Sequence, residues 1–178
     1  CDGTKITKHA KPEKVKHLPP EQQAQLMKVV ADPRARAFCG LCLYCGLRRE
    51  EALGAQWTDI KDGKLTVNRA VTFIRNQPDP NQELKTKAAH RTIPIPTPLL
   101  KILSETPRSG LYIITNADGG IMTQIGFKRL WDKVKSAVDF SVHPHMLRHT
   151  YATSLCLAGV DLKKAQYLMG HSSIQMTA

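Results

Sequence analysis

The apolar residues of this chain change their spacing twice, and that limits the folds open to it. From Pro19 to Gly54 they follow helical periodicity. From Lys64 to Pro96 they become short β-branched or aromatic runs, and from Thr97 to Met169 helical spacing returns. Helices, a few strands and helices again, without alternating strand–helix units, give an α+β class that is mainly α. The expected architecture is a helical domain with a small antiparallel sheet of about three strands.

The helix signals are local. Pro19-Pro20-Glu21 suits a helix start, and an apolar stretch from Pro33 to Cys45 reads as a buried helix stopped by Gly46. A short helix runs from Arg48 to about Gly54. Thr97 to about Glu105 is helical, and Thr123 caps a basic amphipathic helix. Its Ile125, Phe127, Leu130, Trp131 and Val134 are expected inward, with Lys128, Arg129, Lys133 and Lys135 facing water or phosphate. Two more helices are expected, about His145 to Ala158 and Asp161 to Met169.

Asp62-Gly63 marks a turn before Leu65-Thr66-Val67, and Val71-Thr72-Phe73-Ile74 reads as a second strand that Asn76 to Asn81 interrupts. Arg91-Thr92-Ile93-Pro94-Ile95-Pro96 alternates, and its prolines confine it to an edge.

Lys+Arg of 26 against Asp+Glu of 15 leaves +11, which favours a polyanionic partner, nucleic acid first. Residues 1–17 are lysine-rich with few apolar anchors and read as a basic interdomain linker ahead of one domain, 18–178. The chain begins at Cys1 without a methionine, so a fragment of a longer protein is expected. No run approaches the ~18 apolar residues of a membrane span. No signal-peptide core opens the chain, so a cytoplasmic setting and no membrane partner are expected.

Five cysteines, an odd number, argue against a disulfide framework. Cys39, Cys42 and Cys45 repeat at helical spacing on an apolar helix. With no fourth ligand nearby in sequence they read as buried small hydrophobes, not as a metal site. No acidic cluster has metal-site spacing, and no glycine-rich phosphate loop is present. Neither metal nor cofactor is expected.

The chemistry concentrates in His143-Pro144-His145-Met146-Leu147-Arg148-His149-Thr150. Histidine moves protons near neutrality and arginine presents a planar fork that fits a phosphate, so phosphodiester chemistry is implied. Arg48 opens a helix where N–H groups can help hold a phosphate, and Glu51 one turn later can orient its guanidinium. Lys85, Lys87 and Arg91 flank a turn between strands, a common way to follow a nucleic-acid backbone.

In order, the chain carries Gly46-Leu47-Arg48-x-x-Glu51 and a Lys-Thr-Lys turn before Arg-Thr-Ile-Pro. His145-x-Leu147-Arg148-His149-Thr150 and Leu168-Met169-Gly170-His171-Ser172-Ser173 follow. This resembles the catalytic domain of the tyrosine recombinases, the phage-type integrases and their relatives, over roughly residues 18 to 178. The resemblance implies that Arg48 and Arg148 grip the scissile phosphate, that Lys85 protonates the departing 5′ oxygen, and that His145 aids proton transfer. His171 would hydrogen-bond the phosphate, with Glu51 and His149 in support. Lys87, Arg91, Lys128 and Arg129 are expected on DNA.

The partners implied are double-stranded DNA recombination sites, with a homotetramer on DNA for the full-length protein and a monomer for this fragment. The same resemblance implies no nucleotide cofactor, because a 3′-phosphotyrosyl link stores the bond energy, and no metal, because cationic side chains do the work of the ions in two-metal nucleases. The family's tyrosine falls about nine residues after the position of His171, beyond Ala178. The chain as given is therefore expected to bind DNA without cutting it. A non-cleaving DNA-binding paralogue and a type IB topoisomerase-like enzyme are the alternatives.

Overall fold

Prolines and one polar cap start the helical part of the chain. The structure, a computed structural model, describes residues 17–82, 84 and 87–173. The expected linker therefore lies outside the described residues except for His17. Helix α1 (Pro20–Val29) has proline in its first turn, and α2 (Pro33–Cys45) is capped by Asp32, which accepts from the Arg34 N–H at 3.0 Å. Asp32 also accepts from Lys133 Nζ at 2.8 Å, tying the start of α2 to α5 (Gln124–Ala137). Burial would raise the Asp32 pKa, but its bonds to Arg34 and Lys133 bring it down to about 2.

Helix α2 is the centre of the fold. It packs against α4 (Thr97–Glu105), α5 and α6 (Pro144–Leu157). Phe38 on α2 meets Phe127 and Trp131 of α5 edge-on, with ring centroids 4.9 and 5.8 Å away. Such pairs add about 0.5–1.5 kcal/mol each beyond burial. Cys39, Cys42 and Cys45 are fully buried beside them. Burial lifts the Cys39 and Cys45 thiols to about 12, so they pack as the small apolar side chains expected.

Thr123 caps α5 as expected, its Oγ1 accepting from the Gly126 N–H at 3.0 Å. Ile125 does not turn inward; it is 50% exposed. It stands two positions before Phe127, roughly 200° around the helix from the stripe of Phe127, Leu130, Trp131 and Val134.

The β region differs from the expected single sheet. Strands β1 (Ile60–Lys61), β2 (Lys64–Val67) and β5 (Arg91–Pro94) form a three-stranded antiparallel sheet in the order β1-β2-β5. The run at Val71 belongs to a separate hairpin, β3 (Ala70–Ile74) with β4 (Gln77–Gln82). Arg75 and Asn76 take left-handed backbone, φ 47° and 70°, the geometry of a two-residue hairpin turn. Asn76 to Asn81 is thus a turn and a strand, not a break. Pro78 and Pro80 stand two apart, so their missing N–H groups lie on one side, which an edge strand tolerates.

In the main sheet Leu65 faces Ile93, and Val67 faces Arg91. All four are buried, so Arg91 occupies a core-facing position of β5.

The last helix, α7 (Leu162–Met169), is capped by Asp161, which accepts from the N–H groups of Lys163 and Lys164. Tyr167 lies at the surface of α7. It is half exposed, and its Oη accepts from the Thr92 N–H of β5 at 3.0 Å. No helix among the described residues is long and apolar enough to cross a membrane.

Gly46 closes α2 with φ 63°, its N–H donating to the Cys42 carbonyl at 3.1 Å. The Tyr151 ring lies where a Cβ at this position would be. Gly46→Ala should therefore lower stability by at least about 1–2 kcal/mol from backbone strain alone. Thermal unfolding should show Tm lower by at least about 2–4 °C; an unchanged Tm would contradict this packing.

Candidate active site

A buried carboxylate organises the site. Helix α3 (Arg49–Gly54) begins just after Gly46, with Arg48 at its N-cap. Glu51 reaches back: Oε2 accepts from the Arg48 N–H and Oε1 from Arg48 Nη1, both at 2.9 Å. From the other side Arg91 donates Nη1 to Oε1 at 3.1 Å and Nη2 to Oε2 at 2.9 Å. The Glu51 and Arg91 side chains are 2% and 0% exposed. Burial acts to raise the Glu51 pKa; the bonds and charges of Arg91 and Arg48 outweigh it and hold the carboxyl below its ordinary range.

Three arginines converge on three successive carbonyls at the end of α7. Arg91 Nε donates to Leu168 O at 2.8 Å, Arg148 Nη2 to Met169 O at 2.6 Å, and Arg48 Nη2 reaches Gly170 O at 3.5 Å. The last carbonyls of a helix lack intrahelical donors and carry partial negative charge, so cations suit them. Gly170 follows with φ 63°, and a Cβ there would lie 2.6 Å from Arg91 Nη1. Glycine is thus required by both backbone and contact. Arg148 also donates Nη1 to Gly46 O, so it joins the ends of α2 and α7. Among the described residues these two carbonyls are its acceptors, out of five donors it carries.

Arg48, His145 and Arg148 line one cavity of about 350 Å³, together with His143, Arg49 and Glu50. The His145 and His149 rings meet edge to face at 4.3 Å between centroids. Burial, then the charges of Arg148 and Arg48, lowers the His145 pKa; burial, His145 and Arg148 lower that of His149. His171, the residue after Gly170, is brought down to about 4 by burial and by Arg148, Arg48, Arg91 and His149. Arg148 is lowered to about 9 by burial and by Arg48, and so stays charged at neutral pH. Three guanidinium groups face one carboxylate, leaving a positive excess beside the cavity.

The expected residues therefore separate. Arg48, Arg148, His145, His149 and His171 share one electrostatic cluster, and Glu51 braces it. Lys85 lies outside the described residues. Lys87 is exposed on a 3-10 turn (Lys87–Ala89) before β5. Lys128 and Arg129 are exposed on α5, where Arg129 lines a second cavity of about 620 Å³ with Arg34 and Lys133. Arg91 is a correction. It is not on a DNA-facing surface, because its fork is spent inside the protein. The alternation Arg91-x-Ile93-x-Ile95 carried that signal, since it sets all three on one face of the strand.

Glu51→Ala should be severe, because it leaves Arg91 buried without its counter-ion; breaking such a pair costs about 3–5 kcal/mol. A urea-unfolding midpoint close to that of the parent would refute the assignment. Acid should destabilise the fold in two stages. Between about pH 6.5 and about pH 4 the unfolded chain binds protons that folded His171 refuses, so stability falls as pH drops. His145 and His149 act in the same direction. The depressed Glu51 carboxyl adds a further loss at lower pH, as it becomes protonated. Unfolding midpoints that rise from neutral pH to about pH 5 would contradict this sign.

Residues 16–178 match the model of the Phage integrase family. A "Tyrosine recombinase XerC-like" protein of Caldanaerobacter subterraneus subsp. tengcongensis is 30% identical over 211 residues, covering 100% of this chain and 54% of that protein. A "Tyrosine recombinase" of Thermosipho africanus is 30% identical over 149 residues, 82% of this chain and 48% of its own. The chain thus spans about half the length of the curated relatives it matches. Among solved structures, the Tn1549 transposon integrase in complex with circular intermediate DNA superposes with a TM-score of 0.76 at 24% identity, over 93% of this chain and 62% of that one. XerA recombinase gives 0.72 at 21% identity, over 96% and 60%. These two likenesses concern the fold, a helical domain with small antiparallel sheets. Family match, relatives and fold agree: the chain belongs to the phage integrase family of tyrosine recombinases, as part of their catalytic domain.

Proposed function

We propose that this chain is the catalytic domain of a site-specific DNA recombinase that integrates or excises a mobile element. The observation that carries the reading is the convergence of Arg48, Arg148 and His145 on one cavity with an excess of positive charge. The substrate is a phosphodiester of double-stranded DNA. Arg48 and Arg148 hold its non-bridging oxygens and stabilise the added charge of a five-coordinate phosphorus. A tyrosine hydroxyl, supplied from about nine residues past His171, attacks the phosphorus. The new bond joins phosphorus to the tyrosine oxygen, and the bond to the 5′ oxygen breaks. His145 takes part in proton transfer at the nucleophile, His171 hydrogen-bonds the phosphate, and Lys85 gives its proton to the leaving 5′ oxygen. Reversal on a partner strand rejoins the DNA.

Lys87, Lys128 and Arg129, all exposed, follow the DNA backbone. The lysine-rich residues 1–17 link this domain to an upstream one that holds the other face of the duplex. The complete protein works in the cytoplasm as a tetramer on two DNA sites, and this fragment is monomeric without DNA.

Extending the chain past Ala178 with its natural sequence should yield a covalent protein–DNA adduct on a cognate duplex, visible after denaturing electrophoresis. Arg148→Ala in that protein should reduce adduct formation by about 100-fold or more. Adduct formed equally well with Arg148→Ala would sink the phosphate-holding role. The fragment itself should bind duplex DNA with affinity that drops steeply with salt, by about 10³-fold or more between 50 and 200 mM. Salt-insensitive binding would count against the reading.

A further inference from the structure

Arg91 touches three segments: α3 at Glu51, the turn just before its own strand at Ala89, and the last turn of α7 at Leu168. Its Nη1 and Nη2 hold the two oxygens of Glu51, whose same oxygens hold Arg48. Nη1 also donates to Ala89 O at 2.9 Å, at the end of the 3-10 turn that follows Lys85 and Thr86. Nε donates to Leu168 O at 2.8 Å, in the last turn before Gly170 and His171. The side chain is rigid and planar, fully buried, and paired through four hydrogen bonds. A lysine ammonium could not span these acceptors, because its donors radiate from one nitrogen.

We propose that Arg91 is a positioning residue for phosphate chemistry: it sets the placement of Arg48 and of His171 relative to one another, and touches no DNA itself. The proposal rests on the recombinase reading for its purpose, but the linkage is physical and can be tested without DNA. Arg48 receives its orientation from Glu51, and Glu51 is in turn held by Arg91. His171 sits where it does because the last turn of α7 is fixed at Leu168 by Arg91, at Met169 by Arg148 and at Gly170 by Arg48. Arg91 is the one of these three that also bonds Ala89 O, in the turn before β5. Small displacements matter here, since misplacing a catalytic group by about 1 Å can cost about 10²-fold in rate.

The test is Arg91→Lys in the chain as it stands, read by NMR titration of the imidazole resonances. Charge is conserved, so a change reports geometry. His171 faces Arg148 and His149 on α6, Arg48 before α3 and Arg91 on β5. Its midpoint should move up from about 4 toward 6.5 as the last turn of α7 admits water. A His171 midpoint in a folded Arg91→Lys protein that equals the parent's measured midpoint overturns the proposal. Tyr167→Phe is the comparison: it removes the neighbouring bond from Thr92 and should leave His171 in place. If it moves His171 as far as Arg91→Lys does, docking of α7 as a whole is responsible and the proposal fails.

Should Arg91→Lys not fold, hydrogen exchange in the parent decides. The Arg91 Nε–H and the His171 N–H, which donates to Gln166 O at 3.1 Å, should exchange in one opening event. If the His171 amide exchanges much faster, the helix end opens without Arg91, and the proposal fails. In the extended protein, Arg91→Lys should slow adduct formation by about 10-fold or more while duplex affinity changes less than about twofold. Equal losses in both would make Arg91 a general support, and the proposal would fail. Absence of any duplex binding by the parent would count against the recombinase reading instead, leaving the titration result standing.

Discussion

The Glu51 carboxylate between Arg48 and Arg91 is the interaction on which the site depends. An ionised group costs several kcal/mol to bury, and it is tolerated only with full pairing. Here both oxygens have partners on both sides. The pairing is incomplete in another sense: Arg148 adds a third cation without a second carboxylate. The carbonyls of Leu168, Met169 and Gly170 supply partial negative charge, as does the C-terminal end of α7, but helix-end charge is only about half an electron. The lowered pKa of Arg148 and of all three histidines has the same source after burial, namely too many positive neighbours. A well-paired structural core would not be built this way. The imbalance is what an anion such as a phosphodiester would relieve.

Helix ends do the joining in this fold. Both α2 and α7 end at a left-handed glycine, and Arg148 from α6 holds a carbonyl at each end, Gly46 and Met169. The rigid, aromatic-lined interior around α2 therefore sets where the guanidinium of Arg148 can be. Tyr151, one turn along α6 from Arg148, lies against Gly46 and closes the same corner. The central helix, the arginine and the end of α7 form one connected unit, and catalytic side chains placed on such elements are held more closely than side chains on loops.

Much of this was legible from residues alone. Thr97–Glu105, the Thr123 cap and the end of α2 at Gly46 followed from short-range rules, because caps, prolines and glycines act on the backbone they sit in. The grouping of Arg48 with Arg148 came from the resemblance and agrees with the cavity they share. The misreadings have physical causes too. Hydrophobicity alone points Ile125 inward, although its angular position lies off the stripe. Pro78 and Pro80 suggested a break, but an edge strand loses little from missing N–H groups on one side. The charge of Arg91 suggests an exposed, DNA-facing side chain, whereas strand alternation with Ile93 and Ile95 sets its direction. No local pattern could show that Tyr167 bonds to Thr92, since that contact exists only after α7 docks on β5. Lys85 lies outside the described residues, so its role rests on the resemblance.

The histidines show why fixed and switchable charges are combined. At neutral pH the guanidinium groups of Arg48, Arg91 and Arg148 impose a standing positive field. Burial first, and that field second, lower the pKa of His145, His149 and His171, which favours their neutral forms at pH 7. A neutral imidazole can accept a proton, which an imidazolium cannot. Under the recombinase reading, the field that attracts the phosphate thus also keeps His145 able to receive a proton from an attacking hydroxyl. Once the phosphate is bound, its negative charge offsets the arginines, and the same imidazoles hold a proton more readily.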